Sequence, residues 1–346
     1  MEEITLKCRT ITPMFCYGAD DSEPEIRPPS IKGGLRFWWR AMNPDSAVTK
    51  MKENEAELFG GTGEKEGRSK VIIQVNGNNI EQDITKKLIN KHNYPGLGYL
   101  FYSRLMAGNQ DKNCIKPGQG FEIKIKSNDN KYIEKVKKVF LVFSLFGGIG
   151  SRSRRGGGNF LIEEGLENNF FDPLINSKEG LKRFIKDNVR PLIEKSSKSF
   201  STLKGAKVYV FNPEKDWKRA LETIGEPFST FRGDHKGRVD ETPNFGFPIS
   251  HKNGMTMVAG KKKENNKDGF DLLERRSSPL IFKVIKTAEE KYFPLIIWLA
   301  GDLLPDKYKF MDKNKKNNQA YPDEKIINEF FDYLKGKNIE FLEIKI

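Results

Sequence analysis

The spacing of apolar and polar positions along the chain predicts four short strands in each half. Segments with a period of two, or short apolar runs bounded by turn residues, are typical of strands. In the first half these strands are 3–11, 69–77, 119–127 and a short one beginning at 160–162. In the second half they are 206–211, 279–286, 292–300 and 338–345.

Apolar residues at helical spacing predict two helices between the strands of each half. The predicted helices are 35–42, which follows the Gly33-Gly34 pair and ends before Pro44, then 131–146, 214–224 and one that begins after Asp323. Each half thus has the order β-α-β-β-α-β, which matches the ferredoxin-like unit. We therefore predict an α+β protein with two ferredoxin-like, RRM-like domains.

The domain boundaries follow from this order. A chain of 346 residues is long enough for two domains that each bury a core. The first is predicted to span 1–165. The second spans 166–346, begins with a connecting helix at 180–197, and carries a long insertion at about 225–279 that is rich in glycine, proline and charge.

The first predicted helix has one apolar face and one cationic face. Leu35, Trp38, Trp39 and Met42 fall at i, i+3, i+4 and i+7, so the tryptophans are predicted to be core. Arg36 and Arg40 lie one turn apart on a different face and are predicted to point outward. Near a helix start, an arginine opposes the macrodipole unless an anion is bound, which favours phosphate binding by Arg36 and Lys32.

Charge narrows the possible partners. The 60 Lys and Arg residues exceed the 47 Asp and Glu residues, giving a formal net charge of +13 that is spread over both halves. Such a chain usually binds nucleic acid or an anionic surface. A solvated, lysine-rich surface of the kind found in thermophiles is the alternative.

The segment 147–158, GGIGSRSRRGGG, is the strongest candidate for an anion site, and we call it the glycine-arginine loop. Glycine lets backbone N–H groups approach an anion, and the guanidinium groups of Arg152, Arg154 and Arg155 fit phosphate. A P-loop is excluded because no Gly-Lys-Ser/Thr follows. A dinucleotide fingerprint is excluded because Ser153 replaces its third glycine. We predict a clamp for a phosphate backbone, with a flexible linker as the alternative.

Three motifs together resemble a known family. IKGGLRFWWRA at the first helix, FGGIGSRSRRGGG after the second helix and RRSSPLIFK at 275–283 resemble the RAMP superfamily of CRISPR proteins. The pairing of LRFWWR with GSRSRRG is most similar to the first-subunit family of the type III-B Cmr effector. The resemblance covers most of the chain, but no motif in it matches the insertion at 225–279.

The resemblance implies a non-catalytic RNA-binding subunit of a crRNA-guided ribonucleoprotein that acts in antiviral defence. Its partners would be crRNA, target single-stranded RNA or both, together with other Cmr-type subunits. It implies no cofactor, no metal, no small-molecule substrate and no membrane. The RNA-binding residues that it implies are Lys32, Arg36, Arg40, Gly148, Gly150, Arg152, Arg154, Arg155, Arg275, Arg276 and Lys283.

Two further functions stay open. His235 lies in FRGDHKGRVDE beside Lys236 and could act as the general acid or base of a metal-independent endoribonuclease. The third possibility is a structural subunit that contacts only protein. Three cysteines without a CxxC pair, and three widely separated histidines, form no recognisable metal or disulfide pattern and indicate a cytoplasmic setting. The longest apolar runs are too short to cross a membrane.

Overall fold

The computed structural model describes the chain except for a set of short segments. These are residues 19–22, 46, 64–65, 78–79, 168–174, 194, 198, 237, 239, 251–254, 264–265 and 315–318, and for 266–268 only the backbone is described. The helices are α1 (Pro28–Met42), α2 (Val48–Phe59), α3 (Thr85–Leu88), α4 (Pro95–Leu100), α5 (Asn130–Phe146), α6 (Lys178–Phe184), α7 (Trp217–Asp234) and α8 (Lys325–Gly336).

The strands form an α+β structure in which the ladders between strands are antiparallel. They are β1 (Glu2–Thr10), β2 (Val71–Asn76), β3 (Gln82–Ile84), β4 (Asn113–Ile115), β5 (Gly120–Ser127), β6 (Phe160–Glu164), β7 (Thr202–Phe211), β8 (Ile249–Ser250), β9 (Thr256–Lys263), β10 (Asn266–Leu273), β11 (Leu280–Lys286), β12 (Tyr292–Ala300), β13 (Lys309–Asp312) and β14 (Phe341–Lys345).

The first half is built on a four-stranded sheet of order β2-β5-β1-β6. The alternation in β5 buries Phe121, Ile123 and Ile125 on one face, which is the face that α5 covers. Leu6 of β1 pairs with Ile123 of β5, so the central strands contribute adjacent apolar side chains to the core. All four predicted strands of this half are present.

Helix α1 begins nearly two turns earlier than the sequence predicted. Pro28 occupies a first-turn position, where its fixed φ suits a helix start, and Ile31 extends the buried face. Arg36 therefore lies in the middle of the helix rather than at its start. The expectation that Arg36 opposes the helix dipole is wrong.

The Gly33-Gly34 pair lies inside α1 and does not break it. A Cβ atom on Gly34 would lie 2.3 Å from the Phe143 ring of α5, so the absence of a side chain lets the two helices approach closely. Trp38 is buried as predicted, and Trp39 packs at the edge of the core. The apolar face of the helix is thus as the periodicity indicated.

The second half repeats this arrangement. Its sheet has the order β11-β12-β7-β14, with α7 and α8 packed against it. The four strands predicted for this half are all present. In both halves the first and third strands of the unit lie at the centre, so the two sheets have the same topology.

Residues 225–279 were predicted to form one insertion. In the structure, residues 225–234 belong to helix α7, and the later residues include strands that the sequence analysis did not predict. Helix α7 continues through Pro227 to Asp234, because Phe228 and Phe231 are buried in the core and hold its last turns in place. Beyond it, β9 and β10 form a hairpin, and β13 joins β9 from the segment between β12 and α8. The insertion therefore includes part of a third small sheet.

Two apolar clusters cross the proposed boundary at residue 165. The larger one contains core residues of β1 and α5 together with residues of β7, β12 and β14. The second joins Phe15, Leu97 and Phe101 of the first half to α7 and α8. The two halves are therefore packed on each other extensively, and their division into domains stays a prediction. In the described part of the chain, no helix has the length and apolar character needed to cross a bilayer.

Candidate nucleic-acid interface

The glycine-arginine loop connects α5 to β6 and is fixed to the first half by backbone hydrogen bonds. The N–H of Ser151 donates to Phe15 O at 2.9 Å, and the N–H of Gly158 donates to Pro13 O at 2.8 Å. Gly150 has a φ of +87°, a left-handed conformation that favours glycine. The loop is therefore an ordered turn rather than the flexible linker that was the alternative.

The same loop is also attached to the second half. Phe282 N on β11 donates to Arg154 O at 3.1 Å, and the Arg154 guanidinium donates to Ser278 O at 2.8 Å. Arg155 donates to Phe245 O at 3.3 Å. The loop thus lies at the junction of the two halves, a position that the sequence did not indicate.

The backbone N–H groups of the loop were expected to bind an anion, but most of them form hydrogen bonds within the protein. The N–H groups of Ile149, Ser151, Arg155, Gly157 and Gly158 all donate to protein carbonyls. These five donors cannot also bind an anion. Gly148, which is half-buried, lies against Gly157 O and makes room for the turn. Any anion at this loop must therefore be held mainly by side chains.

Arg155 is the most enclosed of the loop arginines. Its guanidinium lies between the rings of Phe228 and Phe282, at 5.0 and 5.1 Å from their centroids, and its Nη1 is enclosed without a hydrogen-bond partner. Desolvation, reinforced by the nearby charges of Arg232 and Arg152, lowers the pKa of Arg155 to about 9. The group is still a cation at neutral pH.

Arg152 and Arg154 are cations in similar surroundings. Arg152 has a φ of +63°, which is uncommon outside glycine, and its Nε is enclosed without a partner. Desolvation, followed by the charge of Arg104, lowers the pKa of Arg152. Arg154 lies 4.8 Å from the Phe37 ring centroid, and desolvation with the nearby charge of Arg276 lowers the pKa of Arg154 to about 10.

These contacts define one group of mutually repelling cations, which we call the arginine cluster. Its members, each half-buried, are Arg104, Arg152, Arg154, Arg155, Arg232 and Arg276. Within the residues that the structure describes, none of the six forms an ion pair with a carboxylate. The cluster is therefore an uncompensated concentration of positive charge at the junction of the two halves.

The balance of energies in the cluster favours a bound anion. A contact between a guanidinium and an aromatic face contributes about 0.5–2 kcal/mol. Removing a cation from water costs several kcal/mol even after relaxation. Aromatic contacts alone do not offset that cost for six neighbouring cations, whereas phosphate oxygens accept charge-assisted hydrogen bonds from guanidinium groups.

Two members of the cluster were missed as site residues. Arg104 lies over the Phe15 and Tyr17 rings at 5.9 and 5.7 Å, and Arg232 lies over Phe228 and Phe245 at 5.8 and 5.7 Å. Arg232 belongs to the FRGDHKGRVDE segment, which was marked for its charge. Arg104 belongs to no recognisable motif, so only the fold brings it to the loop.

The arginines of α1 are in a different electrostatic setting. Arg36 and Arg40 both bind the buried carboxylate of Glu55 on α2, with N···O distances of 3.1 and 2.7 Å. Arg36 also donates to Phe59 O at 3.1 Å and to Gly60 O. Desolvation, together with Arg36, lowers the pKa of the half-buried Lys32. Arg36 and Arg40 were expected to point outward. Instead, both guanidinium groups form ion pairs with a carboxylate inside the protein.

The three RNA-binding residues predicted in the second half differ in how exposed their side chains are. Arg275 is exposed, and Arg276 donates to Asp302 O at 3.2 Å, with a pKa lowered by desolvation. Lys283 is fully buried, and its Nζ donates to Gly147 O at 2.5 Å. An RNA contact by Lys283 is therefore wrong, because the side chain joins β11 to the glycine-arginine loop and has no exposed surface.

His235 lies at the end of α7 and contacts Glu241. Its Nδ1 is hydrogen-bonded to the Glu241 carboxylate, which also binds Arg238 at 2.7 Å. The imidazole stacks on Phe231, which is buried and so unable to stack on a base. Across the described ranges, no group of three or more His, Cys, Asp or Glu side chains is arranged to hold a metal ion.

Comparison with known proteins shows that the part of the chain carrying this site is similar to a known superfamily. Residues 7–161, which include α1 and the glycine-arginine loop, match the model of the RAMP superfamily. The match begins inside β1 and ends inside β6, so it covers most of the first sheet together with helices α1 to α5.

Relatives extend the RAMP similarity over most of the chain. The CRISPR system Cmr subunit Cmr1-1 of Pyrococcus furiosus is 28% identical over 304 residues, which cover 82% of this chain and 83% of the relative. The crystal structure of Cmr1 from the same organism, in its apo form, matches with a TM-score of 0.64 at 22% identity, covering 99% of this chain and 98% of that chain.

A second solved structure shares the fold. A chain in a cryo-EM structure of the Type III-B Cmr-beta bound to cognate target RNA and AMPPnP matches with a TM-score of 0.59 at 16% identity. The match covers 98% of this chain and all of that chain. At this level of identity the likeness shows the fold alone.

Proposed function

We propose that the chain is a non-catalytic, RNA-binding subunit of a crRNA-guided type III-B CRISPR effector that acts in antiviral defence. The observation that carries the proposal is the arginine cluster, six half-buried cations without a carboxylate partner in the described chain. The similarity to Cmr1-1 over most of the chain supports the effector assignment. The ligand is guide RNA, target RNA or both.

The cluster fits the RNA backbone better than it fits a base edge. Phosphate contacts position a strand without reading its sequence, and here the donors are guanidinium groups whose geometry matches phosphate. The half-buried guanidinium groups of Arg152 and Arg104 have an enclosed Nε without a partner, so they would bind phosphate through their remaining nitrogens. Sequence would then be read by base pairing between guide and target, as in other RNA-guided effectors.

The fold is consistent with two ferredoxin-like domains, 1–165 and 166–346. The sheet orders β2-β5-β1-β6 and β11-β12-β7-β14 are the same when each unit is numbered from its own first strand. We propose that the arginine cluster uses the junction of these domains because both contribute cations to it. Other Cmr-type subunits are the proposed protein partners, in a cytoplasmic setting.

The first experiment separates binding, cleavage and purely structural roles. The purified chain is incubated with labelled single-stranded RNA in EDTA, and binding is followed by fluorescence anisotropy between about 50 and 200 mM salt. We expect binding that weakens steeply with salt, since each neutralised phosphate releases counterions, and we expect intact RNA. Absence of salt-dependent binding contradicts the proposal and favours a subunit that contacts only protein.

The same experiment tests an endoribonuclease as the second candidate function. The hydrogen bond between His235 and Glu241 is the observation that favours it, because a carboxylate can orient an imidazole for proton transfer. Cleavage in EDTA that is lost in His235→Ala would establish catalysis. The His235→Ala variant should otherwise bind RNA as the wild type does.

A further inference from the structure

Two large apolar side chains are exposed near each other in the sequence, on either side of Arg104 of the arginine cluster. Tyr102 is 61% exposed and Met106 is 47% exposed, and they lie four positions apart along the chain. The other exposed large apolar side chains in the described ranges are isolated ones, namely Met1, Val48, Ile72 and Tyr321. A pair of this kind marks a contact surface more strongly than scattered single residues do.

The backbone that carries this pair is well fixed. The short 3-10 helix Tyr102–Arg104 follows α4 directly, and the Asn109 side chain donates to Ser103 O at 3.0 Å. Beneath it, Phe101 is fully buried and meets the Phe15 ring edge-on at 5.4 Å. The exposed side chains thus project from a rigid support rather than from a loose loop.

Arg104 connects the exposed pair to the cluster. It lies between Tyr102 and Met106 in sequence, and its guanidinium covers the Phe15 and Tyr17 rings. Its Nε is enclosed without a partner, and its charge is one cause of the lowered pKa of Arg152. Positive charge therefore begins next to the exposed apolar pair.

Helix α4 fixes this surface relative to the second half. The Glu222 carboxylate of α7 accepts hydrogen bonds from Gly96 N at 3.0 Å and from Leu97 N at 2.8 Å, both in the first turn of α4. Because α7 also carries Arg232, the exposed pair and both sides of the arginine cluster are held in one arrangement.

We propose that Tyr102 and Met106 form a stacking surface for one base of the single-stranded RNA whose phosphates bind Arg104 and Arg152. The inference rests on the proposed RNA-binding function and adds a nucleobase subsite to it. Exposed aromatic side chains beside a cationic groove are typical of single-strand binding, since every base has a face that can stack. A duplex hides those faces, so the surface selects single strands without selecting sequence.

The test compares Tyr102→Ala/Met106→Ala with the wild type on a fluorescein-labelled oligouridylate and on the same sequence annealed to its complement. We expect the double variant to bind the single strand roughly five- to a hundredfold more weakly. Its salt dependence should not change, because no phosphate contact is removed. Tyr102→Phe should bind like the wild type, since it keeps the ring.

An abasic walk locates the base. Removing one base at successive positions should reproduce the loss at one position in the wild type and cause no further loss there in the double variant. Tyr321→Ala, which removes a tyrosine 63% exposed at another site, is the matched control and should leave affinity unchanged.

The outcomes keep the two proposals apart. Wild-type protein without salt-dependent RNA binding overturns the proposed function itself. Salt-dependent binding that is equal in the double variant and the wild type overturns only the stacking surface. Equal losses on single strand and duplex also overturn it. A double variant that keeps its RNA affinity but no longer associates with partner subunits assigns the surface to protein contact instead.

Discussion

The arginines of α1 and the arginines of the glycine-arginine loop were both predicted to bind RNA, but they differ in whether a carboxylate pairs with them. Arg36 and Arg40 share the buried carboxylate of Glu55. Arg155 lies between two aromatic rings, Arg152 and Arg155 both lie near other arginines, and no carboxylate in the described chain pairs with them. Both pairs were predicted to bind RNA, yet only the second is left without a counter-charge.

The comparison teaches that the location of the carboxylates decides which arginines can serve an external anion. Two guanidiniums on one carboxylate leave a single excess charge, and it is held in place by internal hydrogen bonds. In the cluster every charge is in excess. We therefore expect RNA phosphates to gain more at the loop than at α1, and the RNA contacts predicted for Lys32, Arg36 and Arg40 stay predictions.

The largest expected effect is on stability at α1. Arg36→Gln/Arg40→Gln leaves Glu55 buried without a cationic partner, and breaking a buried pair in this way costs about 3 kcal/mol. Urea unfolding at neutral pH measures the loss. Lys50→Gln/Lys52→Gln, on the exposed face of the same α2 helix, is the matched control and should change the free energy of unfolding by less than about 0.5 kcal/mol. Equal stability of the two variants would show that Glu55 does not need the arginines.

A smaller effect on the free energy of unfolding is expected at Lys283. Its buried side chain pairs with no carboxylate in the described chain but donates to a backbone carbonyl. Desolvation lowers the pKa of Lys283 well below its usual value. Between this lowered folded pKa and the unfolded value of about 10.5, the unfolded chain binds a proton that the folded chain does not, so in that pH window the residue makes stability rise with pH, by at most about 1.4 kcal/mol per pH unit. Lys283→Met has no side-chain group to protonate, so it should be as stable as the wild type or more stable at pH 7.

The comparison of Lys283→Met with the wild type is made by urea unfolding at several values from pH 7 to pH 10. The wild type should gain stability relative to Lys283→Met over this range, because Lys283 of the unfolded chain stays largely protonated up to about pH 10.5 while the lowered pKa makes the folded side chain neutral. A difference that is constant with pH would mean that Lys283 stays protonated in the folded protein and is paired better than its contact with Gly147 O indicates.

The sequence was most informative where local pattern and burial coincide. Strands such as β5 alternate because one face is buried, whereas β11 and β12 are buried on both faces and are short apolar runs. Both patterns are strand signals, and all eight predicted strands of the two sheets were found. The sequence analysis ended the predicted helix at residue 224, because Gly225 and Pro227 are usual helix breakers. In the fold, tertiary packing overrides that signal, since Gly225 meets Gly96 of α4 closely and Phe228 is buried.

The candidate site was predictable only in part. The loop arginines were identified because they are concentrated among glycines. Arg104 and Arg232 are separated by more than a hundred residues and become neighbours of the loop only when α4 docks on α7. The pairing of Arg36 with Glu55 was not predicted because α2 was not predicted, so there was no reason to place a carboxylate beside α1.

The most direct test is the salt dependence of RNA binding in two variants that remove the same amount of charge. Arg104→Gln/Arg152→Gln and Arg36→Gln/Arg40→Gln are compared with the wild type on one single-stranded RNA, each at a temperature where urea unfolding shows it folded. The account predicts that the slope of log K against log salt falls in magnitude by about 1.4 for the first variant, roughly 0.7 for each lost phosphate contact, and stays near the wild-type value for the second. An unchanged slope in Arg104→Gln/Arg152→Gln, or an equal fall in both variants, would contradict the assignment of the arginine cluster as the RNA-binding site.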